Sequence, residues 1–447
     1  MLTFYKSQET RSYKFRREQL KKLKKALQER EKEIYTALYD DLKKSREEAY
    51  ISELGMVMSE ISHLLRNLKE WMRPETVSTN LVNFPSKSIL YRDPLGVILV
   101  IAPWNYPLQL SLMVVAGAIA AGNCVVLKPS ELAPATAAIL EKILAVFPKN
   151  YIQVIQGDGA EIVDGLMKDF RFDHIFYTGS TAVGRIIYEK AAKQLVPVTL
   201  ELGGKNPCII EQDAVLPVAA KRIVFGKFLN VGQTCIAPDY LLVHRSVKNR
   251  LITALEEAIH LFYGEDPANS YDYGRIINVK RFDTLVAYMN QGTVVYGGQH
   301  NRESLYIAPT ILENVSSASP VMREEIFGPV LPLFTFNTHE EAMALVEQNP
   351  NPLALYVFTA DRQKEEKWIH SMPFGGGCVN NTVVHFANDA MPFGGVGNSG
   401  LGAYHGKHTF DTLTRVKPVL KTPVWVDPSL KYPPFKGRLG IFKKLFG

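Results

Sequence analysis

Cys235 is the residue of this chain best placed for covalent chemistry. It closes the stretch Phe228-Leu-Asn-Val-Gly-Gln-Thr-Cys235, in which Asn230, Gly232, Gln233 and Thr234 are small or polar. A cysteine made only for packing sits in an apolar run. This one sits in a turn-like segment that can hold a thiol at a pocket floor. A free thiol has a pKa of about 8.5, so a nucleophilic one needs helix-end amides, a cation or a base beside it. On its own the stretch also fits a buried, inert cysteine. A second dense stretch, Glu201-Leu-Gly-Gly-Lys-Asn-Pro207, lies upstream and supplies a carboxylate among glycines.

Other candidates fall where strands are expected to end. Gly96-Val-Ile-Leu-Val-Ile-Ala102 is a continuous apolar run, as for a strand covered on both faces. Pro103-Trp-Asn-Tyr-Pro107 follows, then a helix over 110–121, a strand at 124–127 and Lys128-Pro-Ser-Glu131. A helix over 133–146, a strand at 152–155, a turn at Gly157-Asp-Gly159, another helix and a strand at 174–177 complete the series. Such alternation predicts a parallel, doubly wound sheet, whose ligands bind beyond the carboxyl ends of the strands. That places Asn105, Lys128, Glu131, Gly157 and Gly179 along one rim.

The turn Gly179-Ser180-Thr181-Ala182-Val183-Gly184 lies between a strand and a helix, where backbone amides suit a phosphate. Its glycine spacing matches the start of a P-loop, but Arg185-Ile186 replaces the Lys-Ser/Thr pair, which disfavours an NTPase. Gly395-Val-Gly-Asn-Ser-Gly400 fits G-x-G-x-x-G, yet no βαβ unit surrounds it. It reads as a glycine-rich loop closing over the site.

The elements that must position these residues fit an ordinary globular chain. There are 447 residues, 46% hydrophobic and 21% charged, enough for two or three domains. The net charge of +6 suits an anionic cofactor and is too small to point to nucleic acid. Four scattered cysteines argue against a disulfide framework and for a reducing, cytoplasmic setting. No signal peptide is expected, because polar and charged residues crowd the start. The most apolar stretch, 108–127, is broken by Gln109, Ser111 and Asn123 and reads as a buried helix leading into a strand.

Residues 9–71 predict two or three amphipathic helices, with Lys21, Lys22, Lys24 and Lys25 on a solvated face. Residues 76–91 predict a hairpin turning at Pro85 and Ser86, either a dimer arm or a plain surface hairpin. From Pro207 on, a second α/β alternation follows, with strands at 208–210, 240–243, 293–295, 331–334 and 355–358. The basic, apolar tail Lys436-Gly-Arg-Leu-Gly-Ile-Phe-Lys-Lys-Leu-Phe-Gly447 is either a packed terminus or a weak peripheral membrane contact. No metal is expected. There is no CxxC or HExxH, His339-Glu340-Glu341 lacks a second histidine, and His405 and His408 have no third ligand.

Taken in order, seven motifs resemble the aldehyde dehydrogenase superfamily over residues 96–415. They are Pro103-Trp-Asn-Tyr-Pro107, Lys128-Pro-Ser-Glu131, the turn from Gly179 to Gly184, Glu201-Leu-Gly-Gly-Lys-Asn-Pro207, Gly232-Gln-Thr-Cys235, Glu325-Ile-Phe-Gly-Pro-Val330 and Pro392-Phe-Gly-Gly-Val-Gly-Asn-Ser-Gly400. The short N-terminus, Tyr404-His-Gly-Lys407 and Tyr432-Pro-Pro434 resemble the class 3, fatty or aromatic aldehyde branch. The resemblance implies two doubly wound parallel-sheet α/β domains, cofactor and catalytic, plus a small β oligomerisation arm. Residues 1–75 and 95–205 would bind the cofactor, 206–410 would form the catalytic domain, and 76–94 with 411–447 would form the arm and tail.

The resemblance also implies roles. Cys235 would be the nucleophile toward a small-molecule aldehyde, and Asn105 with the Cys235 amide would hold the oxyanion. Glu201 would activate water against the thioester. Lys128 and Glu131 would meet the adenosine ribose, and Glu325 the nicotinamide ribose with Phe327 nearby. Trp104, Gly157, Gly179, Ser180, Thr181, Ala182, Val183 and Gly184 complete the expected cofactor set. Tyr106 and Thr234 would flank the substrate or serve as packing. A carboxylate at the 2′-hydroxyl repels a 2′-phosphate, so NAD is the expected cofactor, with NADP the alternative. A homodimer without nucleic-acid partners is expected. The alternatives are a CoA-acylating dehydrogenase, which commonly lacks a base at Glu201, a cysteine esterase drawing its base from His385 or His405, and a catalytically dead binding protein.

Overall fold

The computed structural model describes residues 1–446. The apolar run after Gly96 forms the strand Val97–Ile101, buried along its whole length, at the middle of a six-stranded sheet. Its order is Gly400–Leu401, Val198–Glu201, His174–Thr178, Val97–Ile101, Cys124–Lys128, Ile152–Val154. The last five strands run parallel. The helix Pro107–Ala121 is apolar on all sides because every one of its residues is buried. Gly122, at φ 86°, ends it in the left-handed conformation that glycine adopts without strain.

The second sheet has seven strands in the order Thr293–Tyr296, Thr310–Glu313, Val330–Phe336, Tyr240–His244, Pro207–Ile210, Ala354–Phe358, Gly376–Val379. All its pairs are parallel except the edge strand Thr293–Tyr296. Each sheet thus carries one antiparallel edge strand on a parallel core. The glycine-rich loop supplies the edge of the first sheet, with Gly400 opposite Glu201.

Three long helices, Tyr13–Glu29, Glu31–Leu42 and Gly55–Trp71, cover the first sheet's side of the molecule. Leu20, Leu23, Leu27, Ile34, Leu38 and Leu42 are fully buried, while Lys21, Lys22 and Lys25 are exposed, as their spacing predicts. Asp41 crosses to the helix Pro134–Leu144 and accepts from the Ala135 and Thr136 amides at 3.1 and 2.7 Å.

The predicted hairpin needs a correction. Its first strand is only Glu75–Val77, and Leu81–Asn83 form a 3-10 turn that leaves Leu81 and Phe84 exposed. The strand Glu75–Val77 does pair antiparallel with the second, Lys87–Pro94, whose other edge pairs along its full length with Thr414–Lys421, completing a third, antiparallel sheet. No helix among the described residues is long and apolar enough to cross a membrane.

Asp41→Ala removes a cap that joins two layers. It should destabilise the protein by about 1–2 kcal/mol. Thermal unfolding should shift downward while the activity at room temperature is retained.

Candidate active site

A cleft of about 680 Å³ opens at the strand ends between the two large sheets. That volume suits a cofactor or small-molecule site. Asn105, Glu201 and Cys235 all line it, together with Trp104, Gly179, Ser180, Thr181, Ala182, Glu325 and Phe327. Residues far apart in the chain therefore meet as the motifs imply.

Each is placed by a local device. Asn105 lies in the loop between the strand Val97–Ile101 and the helix Pro107–Ala121, and its Nδ2 donates to the Gln233 carbonyl at 3.0 Å. Glu201 is the last residue of its strand, pinned on one side by Thr178 and on the other by Gly400. Cys235 follows a 3-10 turn in which Asn230 and Val231 take positive φ values of 52° and 56°. Asn206 then donates to the Cys235 and Ala237 carbonyls at 2.7 and 3.1 Å and accepts from the Ala354 amide. The loop is held rigidly from the floor of the second sheet.

Glu325 faces Gly203 so closely that a Cβ there would overlap its carboxyl group. Arg281 donates to the Glu325 and Ile326 carbonyls, and Lys205 to the Val321 and Glu324 carbonyls. Phe327 meets Trp104 edge-on at 5.3 Å. Thr181–Ala192 forms a helix capped by Ser180, and its first amides stand at the cleft.

Lys128, Glu131, Gly157, Val183 and Gly184 lie outside the cleft lining. Lys128 and Glu131 form an ion pair at 2.7 Å beyond the end of the strand Cys124–Lys128, on the same rim. The Glu131 carboxyl also touches Gly159 of the turn that begins at Gly157. Val183 points to solvent, and a Cβ at Gly184 would meet the Leu202 side chain. Tyr106 and Thr234 are buried and bonded to each other at 2.6 Å.

Neither histidine proposed for an esterase reaches the cleft. His385 pairs with Cys378 at 3.5 Å, and His405 stacks on Phe393 at 5.4 Å. Burial lowers them to about 4 and about 3. Among the described residues no cluster of His, Cys, Asp and Glu could hold a metal ion.

Burial dominates the electrostatics of the site. It raises the Cys235 thiol above its usual range, Glu325 and Glu201 raise it further, and the backbone amides of Cys235 and Ile236 lower it by less. Burial also lifts Glu201 well above the usual carboxylate range, and neither of its oxygens has a partner. Glu325 is pushed up to about 8 by burial and Asp239, against the pull of Arg281 and Lys205.

Sequence reasoning gave no individual role to Asn206, Gly203 or Tyr404, though each lies in a quoted motif, and did not name Arg281. The first two lie within a motif already singled out, and their positions beside Glu201 were the signal. Nothing in the helix Val279–Met289 marks Arg281. Tyr404 is fully buried near Glu201 and Cys235, with an unpartnered hydroxyl.

A raised thiol carries a pH signature. Alkylation of Cys235 by iodoacetamide should be slow at neutral pH and still be climbing above pH ~9, where a free thiol with pKa about 8.5 has nearly levelled. A rate plateau near pH 8 would contradict this environment.

The comparisons with known proteins agree with the geometry. A 4,4'-diaponeurosporen-aldehyde dehydrogenase of Staphylococcus aureus is 46% identical over 446 residues, spanning 99% of this chain and 97% of its own. An aldehyde dehydrogenase of Canis lupus familiaris, described as dimeric and NADP-preferring, is 44% identical, spanning 96% of this chain and 95% of its own. The substrate-bound state of Staphylococcus aureus AldH superposes with a TM-score of 0.98 at 45% identity, covering 100% of this chain and 98% of that one. Residues 4–419 match the family description as a unit, and the chain belongs to the aldehyde dehydrogenase family.

Proposed function

We propose that this chain oxidises a medium- or long-chain or aromatic aldehyde to its carboxylic acid, with Cys235 as nucleophile, Asn105 as oxyanion donor and Glu201 as base. As a family member it is an NAD(P)-dependent aldehyde dehydrogenase. The observation that carries the assignment of roles is the meeting of Cys235, Glu201 and Asn105 in one cleft with Glu325.

The chemistry follows from the groups present. Once its proton is released to solvent through the cleft, Sγ of Cys235 adds to the carbonyl carbon; the C=O π bond breaks and the oxygen takes up the negative charge. One Nδ2 hydrogen of Asn105 is held by Gln233, which leaves the second for that oxygen. A bound nicotinamide dinucleotide supplies the hydride acceptor. Collapse of the alkoxide leaves a thioester on Cys235. Glu201, unpartnered and raised by burial, then takes a proton from the water that attacks the thioester.

The cofactor fits the residues on observations of this structure. Glu325 Oε1 is buried and unpaired, Gly203 leaves a cradle beside it, and helix amides stand at Thr181. We assign Glu325 to the nicotinamide ribose and Lys128 with Glu131 to the adenosine ribose. Glu131 favours NAD, while the NADP preference of the canine relative keeps NADP as the alternative. Residues 1–75 with 95–205 would carry the cofactor and 206–410 the catalytic loop.

The class 3-like branch rests on Tyr404-His-Gly-Lys407 and Tyr432-Pro-Pro434. The retained Glu201 favours hydrolysis over CoA acylation. A homodimer is the reading supported by the dimeric canine relative and by the separate third sheet, Glu75–Val77, Lys87–Pro94 and Thr414–Lys421. We place the enzyme in the cytoplasm, on its four unpaired cysteines. The tail helix Leu439–Phe446 exposes Leu439, Phe446, Lys443 and Lys444, which supports weak contact with an anionic bilayer.

A panel of short, long-chain and aromatic aldehydes, read by NADH or NADPH absorbance, tests the substrate class. A preference for short aldehydes would overturn it. Cys235→Ala should abolish turnover. Glu201→Gln should leave a burst of about one reduced cofactor per site before slow turnover. Sedimentation with anionic vesicles should capture a small fraction of the protein, released by high salt.

A further inference from the structure

We propose that Lys44 and Glu53 form a buried clamp that positions Asn105 for oxyanion binding. This rests on the oxyanion role assigned to Asn105 above. Both are positioning residues, since neither touches the cleft.

Both side chains are entirely buried, and Lys44 Nζ lies 2.6 Å from Glu53 Oε1. Burying an ion pair costs more solvation than its attraction returns unless every remaining donor and acceptor is used. Here each is used on one short loop. Lys44 Nζ donates to the main-chain carbonyl of Asn105 at 3.0 Å and stands 4.1 Å above the Tyr106 ring. Glu53 Oε2 accepts from the Leu108 and Gln109 amides at 2.8 and 3.2 Å. The helix Pro107–Ala121 has no side-chain cap of its own, so Glu53 caps it from another element.

The pair therefore grips the segment 105–109 at both ends. The ammonium fixes the carbonyl at its start, and the carboxylate fixes the amides where the helix begins. Asn230 Nδ2 donates to the same Asn105 carbonyl at 2.8 Å, and the Asn230 amide is held in turn by Glu48 at 2.9 Å. With its carbonyl held twice and one Nδ2 hydrogen on Gln233, Asn105 has a single orientation for its remaining donor. Glu53 lies in the π-helical segment Tyr50–Leu54, which runs directly into Gly55–Trp71. Such wide turns are frequent at functional sites.

The test is a double-mutant cycle read by the single-turnover rate of hydride transfer, with KM values and amide exchange measured in parallel. Asn105→Ala should slow that rate about 100-fold. Lys44→Met should slow it about tenfold through misplacement, with both KM values within about twofold. Adding Lys44→Met to Asn105→Ala should cause no further loss, because the clamp acts through the residue already removed. Amides of Leu108 and Gln109 should exchange faster in Lys44→Met/Glu53→Gln, a variant that leaves no unpaired buried charge.

An Asn105→Ala variant as fast as the parent would overturn the oxyanion assignment, and the clamp with it. A slow Asn105→Ala beside a Lys44→Met at the parent rate would overturn the clamp alone. So would an equal loss on the Asn105→Ala background. If Lys44→Met does not fold, Lys44→Met/Glu53→Gln carries the same readings. Failure of both to fold would make the pair a folding determinant and end the positioning role.

Discussion

One side-chain amide ties the two large sheets together at the floor of the cleft. Asn105 comes from the loop after the central strand of the first sheet, and the Gln233 carbonyl it bonds lies two residues before Cys235. Gln233 is itself fixed, donating to the Asn230 and Arg275 carbonyls and accepting from the Ile277 amide. Loops at the ends of two independent sheets drift relative to one another unless something crosses between them. Here the crossing group is also a member of the site, so sheet packing and site geometry are set by the same contact.

The charges around the cleft are arranged unevenly. Glu325 has Arg281 and Lys205 within electrostatic reach, while Glu201 has no cation and rises by burial alone. Two ionised carboxylates beside a thiolate would repel one another strongly in a dry site. Burial raises Glu201 and so disfavours that doubly charged arrangement. The thiol is subject to the same effect, since burial disfavours the thiolate of Cys235 while the Cys235 and Ile236 amides favour it.

What the sequence made legible was local chemistry. Gly203 and Gly232 announce close approach of backbone to another group. Gly203 faces the Glu325 carboxyl, and Gly232 sits at φ 76° against the Gly328 carbonyl. Motifs that contain such glycines mark the site because few other residues fit. Long-range pairing left no such trace. Lys44, Glu48 and Glu53 look like ordinary charges on amphipathic helices, and only the fold shows them buried. The strand Thr414–Lys421 alternates weakly and could not be matched to Lys87–Pro94 from pattern alone. Leu81, Val82 and Phe84 alternate like a strand, yet Pro85 and a 3-10 turn break the pairing they would need.

The two-residue strand Gly400–Leu401 carries a consequence for how the protein is made. It seals the edge beside Glu201, and the Leu202 amide bonds the Ser399 carbonyl. A ribosome delivers residue 201 long before residue 400. For that interval the growing polypeptide has its nucleophile and its base already synthesised but an open, unpaired edge beside the base. Competence therefore arrives late, near the end of translation, and a truncated product that ends before Gly400 would be born without it.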